Sequence, residues 1–339
     1  MADNHVMIFA KWPEGMPSDD CFEYREAPVP TPKDGEVLLR AIWLSVDPYL
    51  RGRMTNVKSY AASFQPGQPI YSHLVAEVAD SKNPGFAKGD VVMGIMNWAH
   101  WQTHSGEGLA KVDRAHGRLS HALGVLGMPG MTAWAGLNIH GQPKEGETIV
   151  VSAATGAVGS LVAQLAKRKG LRVVGVAGGP EKCAYAVEEL GCDACLDHRD
   201  PGLAQQMAEA CPKGVDIYFE NVGGATTEAA LPLMNTWGRV PICGMISGYN
   251  ATAPYEGPDR FGPTWRLILT RRLAIRGFII FDHWDQFPTF QAEVGPLVAS
   301  GEIKTRETVT EGLENAPEAF RSLLKGTNFG KAVVKVGEE

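Results

Sequence analysis

At 339 residues the chain is long enough for two domains with separate hydrophobic cores. A composition of 44% hydrophobic and 21% charged residues is that of an ordinary globular protein, and a net charge of -6 supplies no basic stripe for nucleic acid. Charged residues interrupt every apolar run well before bilayer-spanning length, which leaves a soluble protein that handles small molecules as the expectation.

The N-terminal run MADNHVMIFAKW carries an acidic residue where a secretory leader carries basic ones, and it has no long apolar stretch; this points to the cytoplasm. Through the first third, EVLLRAIWLSVDPYLRGRM, LVAEVADS and GDVVMGIMNWAHWQTH read as strands punctuated by Pro and Gly, predicting an all-β barrel or sandwich. The turn PGFAKGD feeds a strand over 91–93. From about His121 the character changes to HALGVLGMPGMTAWAGL, rich in small residues and helical in spacing, and a domain boundary is placed there.

The stretch TIVVSAATGAVGSLVAQLAKRK then reads as strand, tight turn and helix. Ile149, Val150 and Val151 suit a buried parallel strand, while Val158, Leu161, Val162, Leu165 and Ala166 share one helical face. Between them, Ala154, Gly156 and Gly159 occupy the places of G-x-G-x-x-G, with Ala for the first Gly. Residues 154–159 (Ala154, Thr155, Gly156, Ala157, Val158, Gly159) are therefore the candidate cradle for a dinucleotide pyrophosphate at a helix N-terminus.

Strands and helices go on alternating: LRVVGVA, then PEKCAYAVEEL with Pro180 in its first turn, ACLD, and GLAQQMAEAC. VDIYFENVG follows, then a helix expected to run through Met234, and the strand RVPICGM. This pattern predicts a doubly wound parallel sheet whose turns after Val151, Val176, Phe219 and Cys243 line one crevice. The six cysteines are scattered, as reduced thiols would be; Cys192 and Cys195 form a C-x-x-C with no second pair at zinc-ribbon spacing. After Gly244, ISGYNATAPYEGPDRFGP is a long Gly- and Pro-rich loop in which Tyr249, Tyr255 and Phe261 either roof an apolar substrate or pack onto the domain. LAIRGFII is the next strand and FPTFQAEVGPLVASG the next helix; Pro317 opens a last helix that Gly326 closes, and KAVVKV is the last strand.

SVDPYLRGRM, MPGMTAWAGL, SAATGAVGS, FENVGG, ICGMISGYN, GFIIFDH and NFGKAVVKV stand in this order along the chain. In these segments it resembles the medium-chain dehydrogenase/reductase superfamily, within it the zinc-independent prostaglandin, alkenal and curcumin reductases. The resemblance implies an α/β protein with a GroES-like β domain from residues 1–122 and 305–339, a Rossmann domain over 123–304 and a homodimer. It also implies dinucleotide contacts at Asn221, Cys243, Gly244, Tyr249, Phe278 and Asn328, with catalytic tyrosines at Tyr49 and Tyr249.

Alcohol dehydrogenases of this superfamily hold catalytic zinc with a Cys near the segment SVDPYLRG and with a Gly-His-Glu. Here the Cys is absent and His73 is followed by Leu74, so no metal is expected and His73 is read as a structural residue. Without a Lewis acid a simple ketone loses its activation, whereas a conjugated enone is electrophilic at its β-carbon. The expected activity is therefore NADPH-dependent reduction of the C=C bond of small hydrophobic enals and enones, with a tyrosine hydroxyl supporting the enolate. Quinone reduction and cofactor binding with little turnover are the alternatives. NADPH is expected over NADH because Ala177, Gly178 and Gly179 put no carboxylate after the second strand, and Lys182 lies one turn beyond, within reach of a 2′-phosphate. His198 and Arg199 stand where the family has a Tyr-Lys pair.

Overall fold

A computed structural model of the chain describes residues 3–253 and 260–339; Tyr255 lies outside them. The chain divides into two compact units, one formed by the residues up to Gly124 with Glu307–Glu339, the other by Val125–Arg306. Among the described residues, no helix is long and apolar enough to cross a membrane.

The first unit opens with β1 (His5–Phe9), β2 (Phe22–Glu26), β3 (Val37–Ser45), α1 (Tyr49–Arg53), β4 (Gln68–Pro69), β5 (Tyr71–Ser81), β6 (Val91–Asn97), β7 (Trp101–His104) and β8 (Ala110–Lys111). β1 lies between β2 and β4 in a small antiparallel sheet, and β3 pairs with both β5 and β7 in a larger one. Phe9, Leu39, Leu44, Leu74, Val92 and Trp98 turn inward to make the core of this unit.

The run after Ser45, expected as strand, instead folds as the short helix α1. Pro48 is the reason: its ring fixes φ at -59° at the N-cap and removes a donor that a strand ladder needs. α1 is anchored by Leu50 in the core and by two buried arginines. Arg51 donates to the Gly15 carbonyl at 2.8 Å, and Arg53 donates to Ala62 O at 2.9 Å while its guanidinium lies 4.1 Å from the Tyr71 ring centre.

The second unit carries α2 (Met128–Ala135), β9 (Thr148–Ser152), α3 (Gly159–Arg168), β10 (Arg172–Ala177), α4 (Pro180–Glu188), β11 (Ala194–Asp197), α5 (Leu203–Ala210), β12 (Val215–Phe219), α6 (Ala225–Ala230), β13 (Met234–Ile242), α7 (Phe261–Arg271), β14 (Ala274–Gly277) and α8 (Phe287–Ala299). The six strands form one parallel sheet in the order β11-β10-β9-β12-β13-β14, with apolar clusters on both faces. β9 is buried along its whole length, as its β-branched run requires, and α3 buries Leu161, Val162, Leu165 and Ala166 against it.

Two expectations fail here. The helix after Gly224 stops at Ala230, Pro232 sits in a 3-10 turn, and buried Met234 opens β13 opposite Val215 of β12 instead of ending a helix. The loop after Gly244 is shorter than expected, because Phe261 starts α7.

Past Arg306 the chain returns to the first unit as β15 (Glu307–Glu311), α9 (Ala316–Leu324) and β16 (Lys331–Lys335). β16 pairs with β15 and with β3, completing a seven-stranded sheet. Pro317 lies in the first turn of α9, and Gly326 follows it with φ +68°, a left-handed conformation suited to closing a helix. Lys331 buries its ammonium in this unit, donating to Val46 O at 2.8 Å and to Asp47 Oδ1 at 3.0 Å, and both charged side chains are 5% exposed. Losing either partner of such a buried pair costs about 3–5 kcal/mol, because the other charge is stranded.

Candidate active site

All six strands of the parallel sheet end on one edge, and most of the predicted site residues follow those ends. The turn after β9 is shaped by three close approaches. Ala153 takes the left-handed φ of +49°, and Gly156 N–H donates to Ala153 O at 2.9 Å. A Cβ on Gly159 would stand 2.3 Å from Ala153 O, so only glycine lets α3 start this close to the strand. Ala154 is buried and fills the space beside Gly175, where an added Cβ would come within 2.9 Å of the Ala154 methyl. Gly159 and the alanine exception thus have separate steric reasons.

At the ends of β10 and β11 the structure brings Gly178, Gly179, Lys182, His198 and Arg199 together. A Cβ on Gly178 would meet His198 Nε2 at 2.9 Å and Arg199 Nη2 at 3.2 Å. Asp197 fastens the turn by accepting the Arg199 N–H at 3.0 Å, and with that of Gly179 these backbone donors hold its carboxyl below the usual range. Burial, reinforced by the Arg199 guanidinium and opposed by Glu181, lowers the Lys182 pKa. Positive charge is thereby concentrated beside glycine backbone, the electrostatic setting that a phosphate relieves.

At the ends of β12 and β13, Asn221 donates its backbone N–H to Ser152 Oγ and its side-chain amide to Ser152 O, both at 2.7 Å. Cys243 and Gly244 both donate backbone N–H groups to Glu220 O, at 2.9 and 3.1 Å. Burial, with the Glu220 charge, pushes the Cys243 thiol up to about 12, which keeps it protonated. Tyr249 follows a 3-10 turn, Ile246–Gly248, and folds back so that its hydroxyl accepts the Met245 N–H at 3.3 Å; a Cβ on Gly244 would lie 3.1 Å from it. Burial raises the Tyr249 pKa and the Met245 N–H partly opposes the rise, so the phenol is protonated at neutral pH. Phe278 packs against His140, ring centres 4.7 Å apart, and closely over Gly136.

Tyr49 and Asn328 belong to the first unit. Tyr49 opens α1 with its ring on the core; burial raises its pKa, Asp47 adds to the rise and Arg53 opposes it. The Asn328 side-chain amide donates to Gly330 O at 2.9 Å. Phe261 is strongly exposed at the start of α7.

The metal chemistry of alcohol dehydrogenases finds no fit in these residues. Among the described residues no group of three or more His, Cys, Asp or Glu could hold a metal ion. The Asp47 carboxylate is taken by Lys331 and by Ser45 Oγ. His73 is buried on β5, where desolvation lowers its pKa against the opposing pull of Asp47. Cys192 and Cys195 are free thiols whose pKa burial raises, Cys192 to about 12.

Sequence reasoning passed over Glu220 and Ser152, which tie two of these turns together. A charged residue directly after the apolar run VDIYF was the available signal.

A two-unit oxidoreductase is the class these features define, with a GroES-like β domain and a Rossmann domain, and comparison with known proteins agrees. Residues 5–112 match the family described as N-terminal domain of oxidoreductase, and residues 157–294 that described as zinc-binding dehydrogenase. The chain is 48% identical over 334 residues to the NADPH-dependent curcumin reductase of Escherichia coli, covering 98% of this chain and 97% of the relative. It is 38% identical to the NADP(+)-dependent 2-alkenal reductase of Nicotiana tabacum, covering 99% and 98%. The crystal structure of CurA from Vibrio vulnificus in complex with NADPH superposes with a TM-score of 0.95 at 46% identity, over 99% of this chain and 100% of that one. The chain belongs to the medium-chain dehydrogenase/reductase family, in the branch of the curcumin, prostaglandin and alkenal reductases.

Proposed function

We propose that this chain is an NADPH-dependent, metal-independent reductase of the C=C bond in α,β-unsaturated aldehydes and ketones. The observation that carries the reading is the Tyr249 phenol, protonated and held over Gly244 on the same sheet edge as the glycine turn after β9. Residues 154–159 would cradle the pyrophosphate, Lys182, His198 and Arg199 would meet the 2′-phosphate, and Asn221, Cys243, Gly244 and Phe278 would line the remainder; Asn328 is a further candidate contact. When bound, NADPH supplies a hydride to the substrate β-carbon. Tyr249 donates a hydrogen bond to the carbonyl oxygen as negative charge develops there, Tyr49 is the second candidate hydroxyl, and a proton from water or a hydroxyl completes the saturated carbonyl. The names and NADPH-bound structure of the relatives support the cofactor and the substrate class.

The test is product analysis by mass spectrometry after incubation with NADPH and a mixed set of enones, enals, alcohols and quinones, using protein dialysed against a chelator. Saturated carbonyls at undiminished rate are expected. Quinols as the main product, cofactor binding without turnover, or activity lost to the chelator and restored by zinc would each overturn the assignment.

We further propose a homodimer. α7 buries none of its described residues and exposes Phe261, Trp265 and Leu269 at spacings of four, and among the described residues β14 pairs with β13 and leaves its other edge open. An apolar stripe beside an open strand edge suits a second copy of the chain. Light scattering is expected to return twice the chain mass, and a monomer at micromolar concentration would refute it.

A further inference from the structure

Glu220 is a carboxylate 3% exposed at the end of β12, and among the described residues no cation pairs with it. Its charge is met by donors alone. Oε1 accepts the backbone N–H groups of Val222 at 2.7 Å and Gly223 at 2.9 Å, together with Ser152 Oγ at 3.1 Å. Oε2 accepts Tyr218 Oη at 2.7 Å and Thr227 Oγ1. Gly223 and Gly224, at φ +81° and +61°, take the left-handed backbone that carries the chain from this turn into α6. The same residue's carbonyl receives Cys243 and Gly244, and the Ser152 hydroxyl that it holds receives Asn221. The buried side chain thus sets the turn after β12 and, through Ser152, reaches Asn221, while the backbone carbonyl of the same residue holds the end of β13; both segments carry proposed dinucleotide contacts.

We propose that Glu220 is a positioning residue for the dinucleotide, an internal anion that holds the turn after β12 and, through the Ser152 hydroxyl, Asn221 in its binding geometry. This rests on the reading that the second unit binds NADPH. An ionised carboxylate accepts from every one of these donors, whereas an amide that keeps its oxygen on the backbone N–H groups turns its N–H pair toward the Tyr218 and Thr227 hydroxyls, so both hydroxyls lose their acceptor and the bonds on Oε1 lose their charge. β9 separates this corner from the ends of β10 and β11, where the 2′-phosphate cations cluster. Loosening Glu220 should therefore weaken NADPH and NADH by a common factor and leave the preference between them intact.

Full-length Glu220→Gln, Glu220→Asp and Thr227→Val, each checked for folding by circular dichroism, would be compared with the parent in steady-state kinetics and in NADPH and NADH titrations. Glu220→Gln is expected to raise both dissociation constants together about 10- to 50-fold, with a smaller fall in kcat, and Glu220→Asp to recover part of the loss. Thr227→Val, which removes one donor and keeps the carboxylate, should move both constants in the same direction by about 3-fold and covers the case in which Glu220→Gln does not fold. Folded variants whose constants stay within about twofold of the parent, or a loss confined to NADPH, would overturn the role. A parent protein that binds neither dinucleotide would instead overturn the cofactor reading on which the role depends.

Discussion

Tyr249→Phe is expected to lower kcat about 10- to 1,000-fold while the Michaelis constant for the enone changes less. The ring is kept in this variant, so packing after the 3-10 turn should be unchanged and only the hydroxyl is lost. That hydroxyl already accepts the Met245 N–H, which both orients it and leaves its own proton to donate. Charge on the substrate oxygen is small before hydride transfer and large in the enolate-like transition state, so the bond it makes strengthens along the reaction, which is the condition for raising kcat. The wide range reflects how far water or Tyr49 can substitute as donor, and Tyr49→Phe in the same assay measures the second contribution. If Tyr249→Phe kept nearly full kcat on several enones, with a deuteride isotope effect showing hydride transfer to be rate-limiting, the assignment would fail.

Replacing the cations beside Gly178 is expected to erode the choice of cofactor. Lys182→Ala should raise the Michaelis constant for NADPH about 10-fold, and Lys182→Ala with Arg199→Ala about 100-fold or more, while the constant for NADH stays within about twofold. The second replacement carries more because the Arg199 guanidinium lies directly over Gly178 and Gly179, where a fork of donors can engage a phosphate. Burial and the Arg199 charge already disfavour the protonated Lys182, and an arriving dianion removes that penalty. Equal efficiencies with NADH and NADPH in the parent protein, or a parallel loss with both cofactors in the variants, would rule out this location for phosphate recognition.

Much of this was legible along the chain because it is local. The strand 149–151, the glycines of the turn and the apolar face of α3 are neighbours in sequence, and their side-chain volumes and periodicities carry the information without a partner. The missing carboxylate after β10 and the lysine that follows are equally local. The parallel sheet could be expected as well, since repeated βα units close into one with few alternatives, while its strand order came from the structure.

What the sequence could not decide depended on partners far along the chain or on faces left uncovered. Lys331 reads as one more surface lysine until the return of β16 seats its ammonium against Asp47, 284 positions earlier. Met234 has helix-compatible neighbours, yet its pairing with Val215 draws it into a strand. α7 escaped notice because three of its apolar residues, Phe261, Trp265 and Leu269, are exposed while Ile268 packs on the core, so no single inward stripe marked it. Glu220 is the clearest case: one charged letter after an apolar run says nothing of hydroxyls at Ser152, Tyr218 and Thr227. Their convergence with the Val222 and Gly223 N–H groups makes a buried anion stable inside the protein, because the free energy of a buried charge is set by the donors that surround it and not by its position in the sequence.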